Sequence, residues 1–273
     1  KLHAAKIIMP ESSVTATENL LMAAALTHGK SEIKLAAAEP HVQDLCYFLN
    51  KMGAKITGIG TQSLVIEGVK RLSGTNYKLT GDYLEAGTFA IAGLLTQGEV
   101  EIDGFETDQL DSFWQKLNEI GVKFFLKEKS VTVYPTKKFK AIEMLKTAIY
   151  PNFPTDLQAP FAILLTQAHG QSKIFETLFE GRLNYLFELE KMKANIKVLN
   201  PHQAIITGPV SLKGVPIASC DIRAGAALIL AALCADGTTE ISNIQYIDRG
   251  YEKFDEKLRK LGADIKRIIS PKS

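Results

Sequence analysis

Apolar residues fall along this chain in a pattern that repeats four times. Nearly unbroken apolar runs of helical length end in glycine at Leu20 to Gly29, Phe89 to Gly98, Phe161 to Gly170 and Ile229 to Gly237, and the glycines are 69, 72 and 67 residues apart. A run that is apolar almost all round predicts a buried helix, and a closing glycine supplies the left-handed residue that ends one. Each run leads into a short strand-like segment: Ser31 to Lys34, Glu99 to Ile102, Gln171 to Phe175 and Thr238 to Ile241. A second, half-polar helical stretch then stops at Met52-Gly53-Ala54, Ile120-Gly121-Val122, Lys193-Ala194-Asn195 and Leu261-Gly262-Ala263, 23 to 25 residues past the first glycine. Strand runs follow at Ser63 to Glu67, Ser130 to Tyr134 and Gln203 to Ile206. The pattern predicts β-α-β-α-β-β units, each with one buried helix and one facing solvent.

Solenoid repeats are usually about 20 to 50 residues long, so longer units carrying their own sheet favour an α/β domain closed by pseudo-symmetry. In such a domain the apolar helices pack against one another. From Asp82 onward the chain supplies three units, so residues 81–273 are expected to form a complete three-unit domain. Residues 1–80 supply one unit of an incomplete first domain, with Arg71 to Lys78 as connector. Its inner helix would leave Leu20, Leu21, Met22 and Leu26 uncovered by their own domain, which favours self-association. The chain opens on Lys1 and enters the strand-like run Ala5 to Met9 at once, so its start reads as a boundary or a cleavage rather than a natural terminus, with the missing third on this polypeptide, on another or absent.

Charge and composition narrow the function. A formal net charge of +2 gives no broad positive field for nucleic acid. No apolar stretch reaches the roughly 18 residues of a membrane span, and the start lacks the order of a signal peptide, so the chain is expected in the cytoplasm and off the membrane. Cys46, Cys220 and Cys234 and the five scattered histidines form no metal-ligand spacing, and neither a metal nor a cofactor is expected.

The segments just before the apolar helices break the pattern in a common way: Ser12 to Thr17, Gly81 to Glu85, Phe153 to Asp156 and Cys220 to Arg223. Ser, Thr and Asp there read first as N-caps. If the units are symmetric, the inner helices also point their positive ends to one end of the domain, which makes an anion site. Only six of the 32 basic residues are arginines, and three of them, Arg182, Arg223 and Arg249, sit at loop or helix-start positions. An arginine in a first helical turn opposes the macrodipole unless an anion meets it. The plainer readings are salt bridges from Arg182 to Glu180 and from Arg249 to Asp248, with Arg259 and Arg267 solvated. Cys220, at a helix start, reads first as a small, tolerated capping residue; the sharper alternative is a thiol whose pKa the helix end lowers.

The same segments carry a family resemblance. Phe-Pro-Thr-Asp-Leu-Gln at 153–158, Phe-Glu-Gly-Arg at 179–182, Asp-Ile-Arg-Ala-Gly at 221–225 and Asp-Arg-Gly-Tyr-Glu at 248–252 resemble the enolpyruvyl transferases that act on UDP-N-acetylglucosamine. So do Ser-Val-Thr-Ala-Thr at 13–17 and Leu-Gly-Ala-Asp-Ile at 261–265. The related shikimate-pathway transferase shares the fold but not these signatures. The resemblance implies two inside-out α/β barrels of three units each, helices inside and sheets outside, closing on phosphoenolpyruvate and UDP-N-acetylglucosamine. It implies transfer of the enolpyruvyl group to the sugar 3′-hydroxyl with release of phosphate, in peptidoglycan precursor synthesis. Asp156 stands at the family's proton acceptor, and Arg182, Arg223 and Arg249 stand at the arginines that serve phosphoenolpyruvate and the closed state. Ser13, Val14 and Thr15 match the segment that holds the UDP diphosphate, and Leu178 matches a backbone contact to the sugar.

The family's acid, a cysteine, and an early Lys-Asn pair precede the region matched. Gly181 replaces a usual Asn, Ala38 a common Arg and Glu11 a Lys found in some members, departures that bear on nucleotide affinity. A non-catalytic protein of the same fold that binds a nucleotide sugar or acts as a scaffold is the competing expectation.

Overall fold

In the computed structural model, which describes residues 1–268, the repeat is visible as a mixed α/β fold. Positions 269–273 of the expected 81–273 domain lie outside the described residues. The first unit runs β1 (Lys6–Ile8), α1 (Val14–Ala25), β2 (Gly29–Lys34), α2 (Pro40–Lys51), β3 (Lys55–Thr57) and β4 (Ser63–Gly68). The second contains α3 (Tyr83–Leu95), β5 (Val100–Asp103), α4 (Asp111–Glu119), β6 (Phe124–Lys127) and β7 (Ser130–Val133). The third adds β8 (Phe139–Lys140), β9 (Met144–Lys146), a 3₁₀ turn at Thr155–Leu157, α5 (Gln158–Thr166), β10 (Ala168–Phe175), α6 (Tyr185–Lys191), β11 (Asn195–Asn200) and β12 (Gln203–Gly208). The fourth has β13 (Ile217–Ala218), α7 (Ile222–Leu233), β14 (Ile241–Ser242), a 3₁₀ stretch at Ile244–Arg249 and α8 (Phe254–Lys260). The strand expected at Thr238 to Ile241 is thus shorter and later.

Strand order follows one rule throughout. The first unit orders its strands β1-β2-β4-β3, with β1 parallel to β2 and the others antiparallel. The third repeats this with β9, β10, β12 and β11. The second shows the antiparallel part, β5-β7-β6, and the fourth the parallel pair β13 and β14.

Helices α3, α5 and α7 pack on one another, and every residue of α3 and α5 is buried apart from intermediate Glu85. Each Leu, Ile or Phe so removed from water contributes about 1.5–3 kcal/mol. Gly87 lets the turn before α5 approach α3, since a Cβ there would lie 2.6 Å from Leu157 Cδ1. The outer helices bury one face only: α4 inserts Phe113, Trp114 and Leu117 and leaves its polar face outside. Left-handed residues end them as the spacing predicts, Gly53 at φ 102° and Gly121 at φ 87°. In the third unit Lys193, one residue before the expected Ala194, takes that conformation at φ 70°.

Buried apolar side chains fall into two clusters, one between Met9 and Ile66 and one between Tyr83 and Leu258. The stretch between them, 69–82, holds no helix or strand. It is tied back by Asp44, whose carboxylate accepts from Tyr77 Oη at 2.6 Å and from the Thr80 amide at 3.3 Å. One expectation about α1 needs correction: Leu21 is fully buried in its own unit and Leu20 is half-buried, because both face the sheet and α2. Met22 and Leu26 do stay open, at 48% and 55% exposure. Among the described residues no helix is long and apolar enough to cross a membrane.

Candidate functional site

Three segments meet where the buried helices begin. Asp82 caps α3 by accepting from the amides of Leu84 and Glu85 at 2.8 and 3.0 Å, and Asp221 caps α7 through the Ala224 amide at 2.7 Å. Before α5 the Pro154-Thr155-Asp156 sequence forms a 3₁₀ turn instead, so the Asp156 side chain is free of capping duty. It bridges two arginines: Oδ1 accepts from Arg182 Nη2 at 2.5 Å and Oδ2 from Arg223 Nε at 3.0 Å. Arg182 comes from the loop between β10 and α6, where its guanidinium lies 5.3 Å from the Phe179 ring centroid. Arg223 starts α7 and lies over the buried ring of Tyr251 at 5.1 Å, while the Tyr251 hydroxyl shares a 2.9 Å hydrogen bond with Thr88 of α3. The local conflict of an arginine in a first helical turn is thereby met by an internal anion.

These contacts set the charges. Burial pushes the Asp156 carboxyl upward, but Arg223 and then Arg182 outweigh it and hold it below the ordinary aspartate range. Burial alone would lower Arg223, yet the Tyr251 hydroxyl and Asp156 keep it firmly protonated. Asp156, Arg182, Asp221, Ile222 and Arg223 line a cavity of about 200 Å³. Two carboxylates and two guanidiniums thus face it, and Nη1 of Arg223 is buried without a partner among the described residues. Such a wall can exchange an internal carboxylate for the phosphate or carboxylate of a ligand.

The expected site residues divide accordingly. Asp156, Arg182 and Arg223 converge. Arg249 is exposed, lies outside that cavity lining and makes no ion pair among the described residues. Its neighbour Gly250 presses on the start of α7, where an added Cβ would sit 2.3 Å from Ile222 Cγ2, so the loop carrying Arg249 lies beside Arg223. Leu178 donates its amide to Glu176 Oε1 at 2.9 Å, which leaves its carbonyl for any backbone contact to a ligand. Ser13, Val14 and Thr15 open α1 in the other apolar cluster. Ser13 Oγ accepts from the Ala16 amide at 3.3 Å, while the amides of Val14 and Thr15 precede the first intrahelical bond.

Several plainer readings fail. Arg182 pairs with Asp156 rather than Glu180. Asp248 is taken by Arg267, at 2.9 and 2.6 Å, so Arg267 is not merely solvated and Arg249 is left out. Arg259, paired with Asp255 at 3.2 Å, does stay exposed on its polar helix face as expected. Burial and then Asp221 push the Cys220 thiol up instead of down. Glu176, Thr155, Tyr251 and Thr88 escaped the sequence reading. For Glu176 a signal existed, since strand alternation puts it on the same inward face as Ser172 and Ile174.

Comparisons with known proteins place the chain in a family. The family described as EPSP synthase (3-phosphoshikimate 1-carboxyvinyltransferase) matches residues 1–258. The UDP-N-acetylglucosamine 1-carboxyvinyltransferase of Prochlorococcus marinus strain MIT 9312 is 45% identical over 98% of this chain and 58% of its own length. UDP-N-acetylglucosamine 1-carboxyvinyltransferase 1 of Caldanaerobacter subterraneus subsp. tengcongensis is 47% identical over 98% of this chain and 64% of its own length. The chain spans about three-fifths of the length of these relatives. Among solved structures, the enolpyruvyl transferase NikO from Streptomyces tendae superposes with a TM-score of 0.90 at 28% identity, covering 99% of this chain and 66% of that one. EPSP synthase from Acinetobacter baumannii, at 16% identity and a TM-score of 0.74, shares the fold over 95% of this chain and 63% of its own.

Proposed function

This chain belongs to the EPSP synthase family of enolpyruvyl transferases, and from that premise we propose that it serves the transfer of the enolpyruvyl group from phosphoenolpyruvate to the 3′-hydroxyl of UDP-N-acetylglucosamine. The setting would be peptidoglycan precursor synthesis in the cytoplasm. The observation that carries this reading is the Asp156 carboxylate, held between Arg182 and Arg223 at the edge of a cavity.

The reaction adds a hydroxyl oxygen to C2 of phosphoenolpyruvate while C3 gains a proton, and then expels phosphate as C3 gives a proton back. It needs a base at the hydroxyl and cations at the phosphate and carboxylate. With two arginines on it, Asp156 is a weak base. Anionic substrate drawing those arginines away would let its basicity rise as the hydroxyl arrives. Arg249, on the loop pressed against α7, supplies a third cation. The free amides at the start of α1 suit the diphosphate of the nucleotide. The mutual packing of α3, α5 and α7 supports an inside-out barrel from residue 81 onward, and the separate apolar cluster before residue 70 supports a unit of a second domain. The acid would come from the further length that the relatives possess, either in cis or on a second chain.

The test is phosphate release from phosphoenolpyruvate by the protein with that further length present, with UDP-N-acetylglucosamine or shikimate 3-phosphate as acceptor. Asp156→Asn should lower kcat by about 10²-fold or more while nucleotide-sugar binding persists. Sugar binding with no turnover by the complete wild-type protein would instead favour a non-catalytic binding or scaffolding role. Preference for shikimate 3-phosphate would overturn the acceptor.

A further inference from the structure

Glu176 is fully buried one residue beyond β10, and no Lys or Arg pairs with it among the described residues. A buried carboxylate without a cation must be satisfied by hydrogen bonds. Its Oε2 accepts from Thr155 Oγ1 at 2.8 Å, and its Oε1 accepts from the amides of Leu178 and Phe179 at 2.9 and 3.3 Å. Its own backbone is pinned on both sides by His202, through its amide to the His202 carbonyl at 2.8 Å and its carbonyl to Nδ1 at 2.9 Å. The contacts close a ring. Thr155 is bonded in sequence to Asp156, Asp156 holds Arg182, Arg182 lies over the Phe179 ring, and the Phe179 amide returns to Glu176.

We propose that Glu176 is a positioning residue, which sets where Asp156 and Arg182 stand relative to each other and where the Leu178 carbonyl points. It touches no substrate; it acts through the turn at 155–156 and the loop at 178–182. The inference rests on the reading of Asp156 as proton acceptor, and it names a second residue on which that role depends. The Glu176 charge itself is dispensable. A glutamine could keep its carbonyl on the two amides and turn its NH₂ toward Thr155 Oγ1, which would then accept.

The experiment compares wild type, Glu176→Ala, Glu176→Gln and Thr155→Val in the full-length protein, following the Asp156 carboxyl by ¹³C NMR titration and kcat and KM by phosphate release. The charged and titratable groups around Asp156 are Arg182, Arg223, Tyr83 and, across the cavity, Asp221, and those near Glu176 are Tyr185 and His202. Glu176→Ala should move the Asp156 midpoint up by about one pH unit as Arg182 loosens. It should also lower kcat about tenfold or more and raise the KM for the sugar. Thr155→Val should act in the same direction, which keeps the test open if the alanine variant folds poorly, and Glu176→Gln should stay within about twofold of wild type. A Glu176→Ala protein that loses only thermal stability, with the Asp156 titration and the kcat of folded protein unchanged, would overturn the proposal. Glutamine proving as harmful as alanine would overturn it too, since charge rather than geometry would then be at work. If wild type turns over no acceptor, the functional reading fails by itself, and the Asp156 titration still decides the role of Glu176.

Discussion

Replacing Asp156 by Asn should cost stability in a way that depends on pH. The substitution keeps one amide oxygen for an arginine but sets an NH₂ against the other, and it removes the anion that Arg182 and Arg223 share. Removing one partner of a fully buried pair costs about 3–5 kcal/mol, whereas exposed pairs contribute about 0–1 kcal/mol. Here the aspartate side chain is 32% exposed and the arginines 18% and 14%, so solvent screens part of the interaction. A cost of about 2 kcal/mol is expected near neutral pH, or roughly 4–8 °C in Tm for a domain of this size. The sign with pH follows from the depressed pKa of Asp156. The pair stabilises the fold above the unfolded value of about 3.9, and that contribution is lost as pH falls through the lower folded value. Thermal melts of both proteins at pH 7, 5, 4 and 3 should therefore show a gap that is full at pH 7 and 5, then narrows and closes in acid. A gap of the same size at pH 3, or none at pH 7, would refute the argument, because the Asp156 charge would then not be what binds the two arginines.

Arg249→Lys should impair use of phosphoenolpyruvate more than use of the nucleotide sugar, since a point charge cannot replace a bidentate fork; equal rises in both KM values would contradict this. Gly250→Ala should destabilise the protein by about 1–3 kcal/mol, measured by denaturant melts, because its Cβ would meet Ile222 Cγ2 at 2.3 Å. Mild alkylation read by peptide mass spectrometry should label exposed Cys220 before Cys46 and Cys234, whose thiols burial pushes up to about 12. The Cys220 rate should climb with pH past neutrality, and first labelling at Cys46 would show that exposure does not set the order. Changing Met22 and Leu26 to Lys should reduce self-association in sedimentation runs if that open face of α1 drives it.

Much of the fold was legible because its signal is local. The apolar runs, the turn glycines and the cap residues Ser13, Asp82 and Asp221 all act within a few positions, and each lies where the pattern puts it. The arginines were recognisable from their position at helix starts, but their partner was not. Asp156 lies 26 residues from Arg182 and 67 from Arg223, so sequence neighbours such as Glu180 looked as suitable. Arg267 and Asp248 found each other across 19 residues for the same reason. Strand alternation continued past Phe175 would have put Glu176 on the inward face, but what a buried carboxylate holds depends on the loop that folds over it.

The packing of α3 against α5 and α7 also bears on how the protein is made. Sheet pairs such as β6 with β7 join residues a few positions apart, so they can form soon after synthesis. Helix α3 is different: α5 begins 63 residues after its end and α7 ends at Leu233, so an almost wholly apolar helix emerges well before its partners. At roughly 5–20 residues per second, the wait for α7 is on the order of ten seconds. Nascent chains halted before residue 200 should therefore cross-link through α3 to a chaperone that binds apolar segments, and should release it once α7 has left the ribosome.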